Sequence, residues 1–251
     1  MIDFHSHFLP NTDDGAKSLD QSLEMLRVSK HSGVDTVVST SHCYAFEGNE
    51  SINRFLKRRK NAYAEVLSAI DGNEEDYPQI VPGCEVHLVR NLSTFSELPK
   101  LCIGNTDYIL LEMPFSAWKD EHFEEIYRVT KLGLKPIIAH IDRYFEVEDK
   151  FPDLFSLNLL YQANAESFIA RKNRKKLLNL FQRDALHILG SDMHNMTSRA
   201  PNMTDAYDVI KKRFGKAYTD YIDVASKKVL TNETVPTPKL PKLNFIHNLI
   251  L

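Results

Sequence analysis

Histidines and carboxylates recur in this chain at spacings that suit metal binding. His5-Ser6-His7 sets two imidazoles two residues apart. In an extended segment such residues point to the same face, so both can reach one ion. The same residue types close a series of short apolar runs: Ser41-His42, Gly83-Cys84-Glu85, Leu110-Leu111-Glu112, Ile138-Ala139-His140 and Gly190-Ser191-Asp192-Met193-His194. Asp13-Asp14-Gly15 lies just beyond the first run and is placed to join them. One His-x-His pair means little by itself. Several carboxylates buried together without cations would be very costly, and metal ions remove that cost. The set contains imidazole and carboxylate but no thiolate, which suits manganese, iron, cobalt or zinc without choosing among them.

The elements that must position these residues follow from hydrophobic pattern. Short runs rich in Val, Ile and Leu predict strands at 2–5, 36–40, 79–84, 108–112, 136–140, 160–164 and 187–190. Six of these seven strands deliver His, Asp or Glu at their carboxyl ends, where parallel barrels build their active sites. Helical patterns at 18–32, 53–70, 122–132, 167–183 and 205–214 separate them. The first opens on Ser18 with Gln21 three residues on, a capping-box arrangement, and ends at Gly33. Strand–helix alternation with long connections implies a parallel sheet with helices outside. Seven strands make an incomplete or distorted relative of the (β/α)₈ barrel; a doubly wound open sheet is the alternative. Beyond Val229 a tail with Pro236, Pro238 and Pro241 is expected to be extended, and the whole of 1–251 to form one domain.

Composition narrows the function classes. The 251 residues carry 31 basic and 34 acidic side chains, a formal charge of -3. That balance argues against a nucleic-acid-coating protein. No apolar stretch approaches the roughly 20 residues of a membrane span. An N-terminus without a basic segment and apolar signal core predicts a cytoplasmic protein. Three cysteines fit a reducing compartment rather than a disulfide scaffold. Of the ten histidines, His31, His87, His122, His187 and His247 lack the strand-end placement and are expected to be structural or surface residues. Phe115, Trp118 and Phe145 follow strand ends and are candidates for a substrate mouth, ordinary loop packing being the alternative.

Residues 2–16, Ile-Asp-Phe-His-Ser-His-Phe-Leu-Pro-Asn-Thr-Asp-Asp-Gly-Ala, resemble the start of the manganese-dependent protein-tyrosine phosphatases of bacterial capsule synthesis, a family of the PHP (polymerase and histidinol phosphatase) type. Thr40-Ser41-His42, Gly83-Cys84-Glu85, Leu111-Glu112, Ala139-His140 with Arg143-Tyr144, Asn164-Ala165, and Gly190 to Asn195 with Arg199 keep the family's order to about residue 203. The resemblance implies a distorted (β/α)₇ barrel and a three-metal centre. His5, His7, Glu85 and Asp192 would surround one ion. Glu85 would bridge to a second, held with Glu112 and His140. Asp14, His42 and His194 would hold the third. Arg143 and Arg199 match arginines that grip the substrate phosphate; without that context they read as surface charge. The sequence departs from the family pattern at Ser41 and Ile141, where proline is usual, and at Glu166, where a small residue is usual.

The implied chemistry is hydrolysis of a phosphate monoester by water activated on clustered ions, with the two guanidinium groups stabilising phosphoryl charge. Phosphotyrosine on a bacterial tyrosine kinase that controls capsular or exopolysaccharide synthesis is the expected substrate. A histidinol-phosphatase-like enzyme acting on small molecules is the nearest alternative, and a metal-binding regulatory module without turnover a further one. A cysteine mechanism is rejected. Cys84 and Arg90 have the Cys-x₅-Arg spacing, but the intervening Glu-Val-His-Leu-Val is no glycine-rich phosphate cradle, and Glu85 would repel the phosphate.

Overall fold

The structure, a computed structural model, describes residues 1–115, 118–170, 172–237 and 239–241. Nine strands form, all paired in parallel among the described residues: β1 (Ile2–Asp3), β2 (Thr36–Ser39), β3 (His42–Cys43), β4 (Gln79–Pro82), β5 (Glu85–His87), β6 (Tyr108–Glu112), β7 (Lys135–Ile138), β8 (Leu160–Asn164) and β9 (Ile188–Gly190). β1, β2 and β4 are neighbours in one sheet, and β3, β5, β6, β7, β8 and β9 succeed one another in a second. The amide of Phe4 donates to Leu189 O at 3.2 Å and that of His7 to Met193 O at 2.9 Å, bringing β9 alongside β1. The result is a curled parallel sheet of distorted-barrel character, not an open doubly wound one.

Two of the expected strands end slightly early and are followed by a further short strand beyond the expected bounds. The run at 36–40 stops at Ser39 and resumes as β3, and the run at 79–84 stops at Pro82 and resumes as β5. At the first break the backbone changes partner. The Thr40 amide turns to Ser6 O at 2.8 Å, while Thr40 O accepts from the Glu85 amide at 3.1 Å.

Residue parity separates two cores. Ile2, Phe4, Val38, Tyr108, Leu110, Ile137, Ala139 and Ile188 pack with one another in one cluster, whereas Val37, Ile109, Leu111, Ile138, Ala163 and Leu189 belong to the core shared with the helices. Alternate residues of a strand face opposite sides, and here both sides are apolar, as burial of a parallel sheet requires. Following the first set two residues onward in Val38–Thr40–His42, Tyr108–Leu110–Glu112 and Ile188–Gly190–Asp192 leads from an apolar plug to a polar layer above it.

The helices are α1 (Leu19–His31), α2 (Asn49–Ile70), α3 (Asp120–Lys131), α4 (Phe151–Phe155), α5 (Ala165–Ile169), α6 (Arg174–Gln182), α7 (Met203–Arg213) and α8 (Lys216–Leu230). The cap of α1 is half the expected box. Ser18 Oγ accepts from the Gln21 amide at 3.2 Å, but Gln21 Oε1 accepts from Lys17 rather than Ser18. The helix expected at 167–183 is two helices, α5 and α6. α8 was not anticipated, although Tyr218, Tyr221, Ile222, Ala225 and Val229 bury one face of it. Past it, residues 234–237 lack regular structure and line, with Tyr108, Lys135 and Leu160, a cavity of about 590 Å³ at the amino ends of the strands. Pro238 and His247 lie outside the described residues. No helix among the described residues is long and apolar enough to cross a membrane.

Candidate metal centre

His5, His7, His42, Glu85, Glu112, His140, Asp192 and His194 gather above the apolar plug, with Asp14 on the outer edge. All but His42 and Asp14 are buried. Glu85 is central: its Oε1 lies 2.7 Å from His140 Nε2, and its Oε2 lies 3.1 Å from both His5 Nε2 and His42 Nδ1. Asp192 Oδ1 lies 3.6 Å from His5 Nε2 and 3.5 Å from His7 Nε2. Glu112 Oε1 is 3.7 Å from His140 Nε2, and Asp14 Oδ1 is 3.4 Å from His194 Nε2.

Three overlapping groups bring their ligand atoms within 4.8 Å of one another: His7 with Asp14, His42 and His194; His5 with His7 and Asp192; and His42 with Glu85 and Glu112. This grouping differs from the partition implied by the resemblance. His7 and His42 each serve two groups here, and Glu85 touches histidines of every proposed subsite.

Local backbone explains how side chains of different parity meet. His140 and Asp192 adopt left-handed conformations, φ 31° and 55°, which non-glycine residues rarely do. Such strain costs on the order of 1–3 kcal/mol and collects at functional positions. At His140 it turns a side chain that follows Ala139 back over the plug. Two glycines let the backbones close in. A Cβ on Gly15 would lie 1.9 Å from His7 O, and one on Gly190 would lie 2.4 Å from His5 Cβ.

The donor set fits cations. His5 Nε2 and His7 Nε2 face each other at 3.1 Å, and with both Nδ1–H groups donated, to Gln162 Oε1 and Asp13 Oδ2, the neutral rings turn two lone pairs toward each other, an opposition that a cation between them relieves. Buried His42 Nδ1 and His194 Nε2 have no hydrogen-bond partner. Burial pushes the His194 imidazole down to about 3 and lowers His42 as well, leaving free lone pairs. Burial would raise Glu85 and Asp192, yet the imidazoles around them, joined at Asp192 by Arg143 and Arg199, hold both well below the usual range. Burial would also lower His7, but hydrogen bonds to Asp13 and Glu85 outweigh it and lift His7 to about 10.

Asp13, which the sequence placed beside the cluster, and Asn164, named there without a role, support its ligands, and Gln162 was not singled out in the sequence at all. Asp13 Oδ2 takes the Nδ1–H of His7 at 2.7 Å and the His42 amide at 2.8 Å, fixing one ring and one backbone. Gln162 Oε1 lies 3.1 Å from His5 Nδ1 and accepts from the His140 amide at 2.7 Å. Its signal was parity, two residues before Asn164 on β8. Asn164 Nδ2 donates to Asp192 Oδ2 at 2.8 Å. Such partners hold ligands in one orientation and tautomer. His87, assigned to structure or surface, borders the centre: its Nδ1 is 3.0 Å from Glu112 Oε2. His31, His122 and His187 remain apart, bonded to Arg27 O, the Lys119 amide and the Tyr161 amide.

Arg143 and Arg199 both ion-pair with Asp192, Arg199 at 2.5 Å, and each stays about one-third exposed. They line a polar cavity of about 530 Å³ with Asp142, Asn164, Glu166 and Asp192. Two of the departures from the family pattern thus reach this cavity: Glu166 directly, and Ile141 through its neighbour Asp142, which accepts from the Asn164 amide and Ser167 Oγ.

The thiols take no part. Cys84 is fully buried with its Sγ–H on Leu101 O at 3.1 Å, and burial drives its pKa far upward. Burial also pushes Cys43 and Cys102 up to about 12, and Arg90 is exposed. Trp118 is buried against Tyr144 and Phe151, and Phe145 packs against the core under Lys176, so of the three mouth aromatics only Phe115 is exposed.

A family model described as capsular polysaccharide synthesis, CpsB/CapC, matches residues 1–231. The tyrosine-protein phosphatase CpsB of Streptococcus pneumoniae is 31% identical, over 92% of this chain and 98% of its own length. The tyrosine-protein phosphatase YwqE of Bacillus subtilis is 26% identical over 94% of this chain and 93% of its own. Among solved structures, the YwqE and CpsB structures described as unique metal-dependent tyrosine phosphatases superpose with a TM-score of 0.77 at 24% identity, covering 97% of this chain and 100% of that one.

Proposed function

Because the chain belongs to the CpsB/CapC family of capsular polysaccharide synthesis, we propose that it is a metal-dependent phosphatase hydrolysing phosphotyrosine on protein substrates. The observation that carries this is the convergence of five imidazoles and four carboxylates at one end of the sheet, with two guanidinium groups anchored on one of those carboxylates. In our reading His5, His7, Asp14, His42, Glu85, Glu112, His140, Asp192 and His194 hold three manganese ions. They do so in a single-domain (β/α)₇ barrel with a tail from about residue 230. The substrate would be a cytoplasmic tyrosine kinase of capsule or exopolysaccharide synthesis.

Bound ions would supply Lewis acidity and a nucleophilic water near neutral pH. The chain's own residues do the positioning. Glu85, with two oxygens near His5, His7, His42 and His140, would be a ligand shared among the ions these residues would hold. Asp13 and Gln162 hold the His7 and His5 rings. Asp192 holds Arg143 and Arg199 at the edge of the cavity, where their remaining N–H groups can make charge-assisted bonds to phosphoryl oxygens as charge develops. A phenolate leaving group, with a pKa of about 10, departs without a strong general acid.

Steady-state kinetics of the manganese-loaded protein test this. Phosphotyrosyl peptide should be the preferred substrate over histidinol phosphate by at least tenfold in kcat/KM. The reverse preference, or phosphate release at background on both, would refute the proposal.

A further inference from the structure

The mouth of the centre has two chemically different sides. Arg143, after β7, and Arg199, after β9, stand on one. On the other, after β3 and β6, stand Tyr44, Phe46 and Phe115, exposed to 47%, 71% and 65%. Of the exposed aromatic side chains among the described residues, only Tyr127, beneath Lys131, lies elsewhere.

These rings are ordered outward from the ligand imidazoles. Tyr44 stacks on His42 at 5.3 Å and 23°, and Phe46 on Tyr44 at 5.8 Å and 10°. His87 braces both from the side, at 5.7 and 5.8 Å, with its Nδ1 held by Glu112. Phe115 lies nearly parallel to His140 at 6.1 Å and 16°, and contacts Tyr144, whose hydroxyl is tied to the Met113 backbone. Between the two groups runs the succession His42, His7, His5, His140, with ring centroids 4.6, 5.2 and 5.6 Å apart. One aromatic wall therefore rises from each end of the imidazole row.

We propose that Tyr44, Phe46 and Phe115 form an aromatic clamp that receives the phenyl ring of a phosphotyrosyl side chain and selects aryl over alkyl phosphates. This rests on the function proposed above and assigns its selectivity to residues. An aryl phosphate is itself two-ended, a dianion joined to an apolar ring. With the dianion drawn to the cations and arginines, the ring must project out of the polar layer, and the apolar surface that borders this layer is these side chains. With Tyr44 and Phe115 stacked on ligand imidazoles and Phe46 stacked on Tyr44, the clamp loses little ordering entropy when a ligand ring arrives, whereas the exposed faces gain burial and offset-stacked contacts. A short alkyl phosphate offers little apolar area to bury and no ring to stack.

The test compares two inhibitors of the manganese-loaded enzyme, benzylphosphonate and inorganic phosphate, in wild type, Phe46→Ala, Phe115→Ala and the double variant. Each single change should weaken benzylphosphonate about fivefold relative to phosphate, and the double change tenfold or more, the usual worth of aromatic contacts. Phe46→Tyr with Phe115→Tyr should restore the ratio. Damage to the metal site would weaken both inhibitors alike. An unchanged ratio in the double variant overturns the clamp. Turnover of a phosphotyrosyl peptide separates the two proposals: if the ratio falls as expected while wild type leaves that peptide intact, the rings bind aryl groups as proposed but phosphotyrosine on a protein is not their ligand, and the function proposed above falls.

Discussion

At the scale of single residues, the centre distinguishes groups that would touch a cation from groups that aim them. His42→Ala and Asp192→Ala each remove a donor from an overlapping pair of groups or from the anchor of both arginines. Either change should cut kcat/KM by roughly 10³-fold, comparable to losing a principal electrostatic stabiliser, with far-UV circular dichroism unchanged. Near-normal turnover in either would refute the site. Asp13→Ala leaves every donor in place but frees the His7 ring, so it should weaken metal affinity by about 10–100-fold, read by metal titration. The thiols give a contrasting expectation. All three are buried with pKa values raised by burial, so iodoacetamide at pH 8 should leave activity intact and label cysteine only after denaturation. Activity loss tracking Cys84 alkylation would revive the cysteine mechanism.

At the scale of elements, the chain brings separate strand ends together by breaking rules of regular structure locally. Gly15 and Gly190 let backbones approach His7 and His5, in the segment after β1, more closely than any side chain allows. Gly15→Ala should therefore destabilise by about 1–3 kcal/mol through forced displacement of the His7 backbone, lowering the melting temperature by several degrees. A wild-type melt would contradict the close approach. The strand positions were legible because buried parallel strands are continuous apolar runs, as in Tyr108–Glu112. The resumption of pairing beyond them, as β3 and β5, was not, since a change of hydrogen-bond partner leaves no trace in hydrophobic pattern. α8 was missed because aromatic and β-branched residues, Tyr218, Tyr221, Ile222 and Val229, make up its buried face. The split of 167–183 did have a signal, since residues 171–176 are six polar residues in succession and interrupt the apolar spacing.

At the scale of the molecule, a cluster of ionisable groups from separate strands makes folding and cation binding one equilibrium. Saturating Mn²⁺ should raise stability by about 2.7 kcal/mol at one hundred times its dissociation constant, and a chelator should reverse this, as seen in thermal unfolding. The sign of the pH dependence follows from His7. In the metal-free protein Asp13 and Glu85, working against burial, keep it protonated up to about pH 10, and it must release a proton to ligate. Affinity should therefore rise with pH below 10, and calorimetry in two buffers of different ionisation enthalpy should record proton release at pH 7.5; its absence would remove His7 from the ligand set. The sequence by itself determined which residue types close the strands, because parallel strands must be apolar along their bodies and can turn polar only at their ends. It determined the identity of the candidate donors for the same reason. Only the tertiary structure decided how those donors are shared, with Glu85 reaching four histidines and His7 and His42 each serving two groups. It also brought Asp13, Gln162 and His87 to the centre and set exposed rings beside it. Those relations depend on left-handed turns, glycine contacts and the curl of the sheet, which act between segments up to 188 residues apart and leave no local pattern to read.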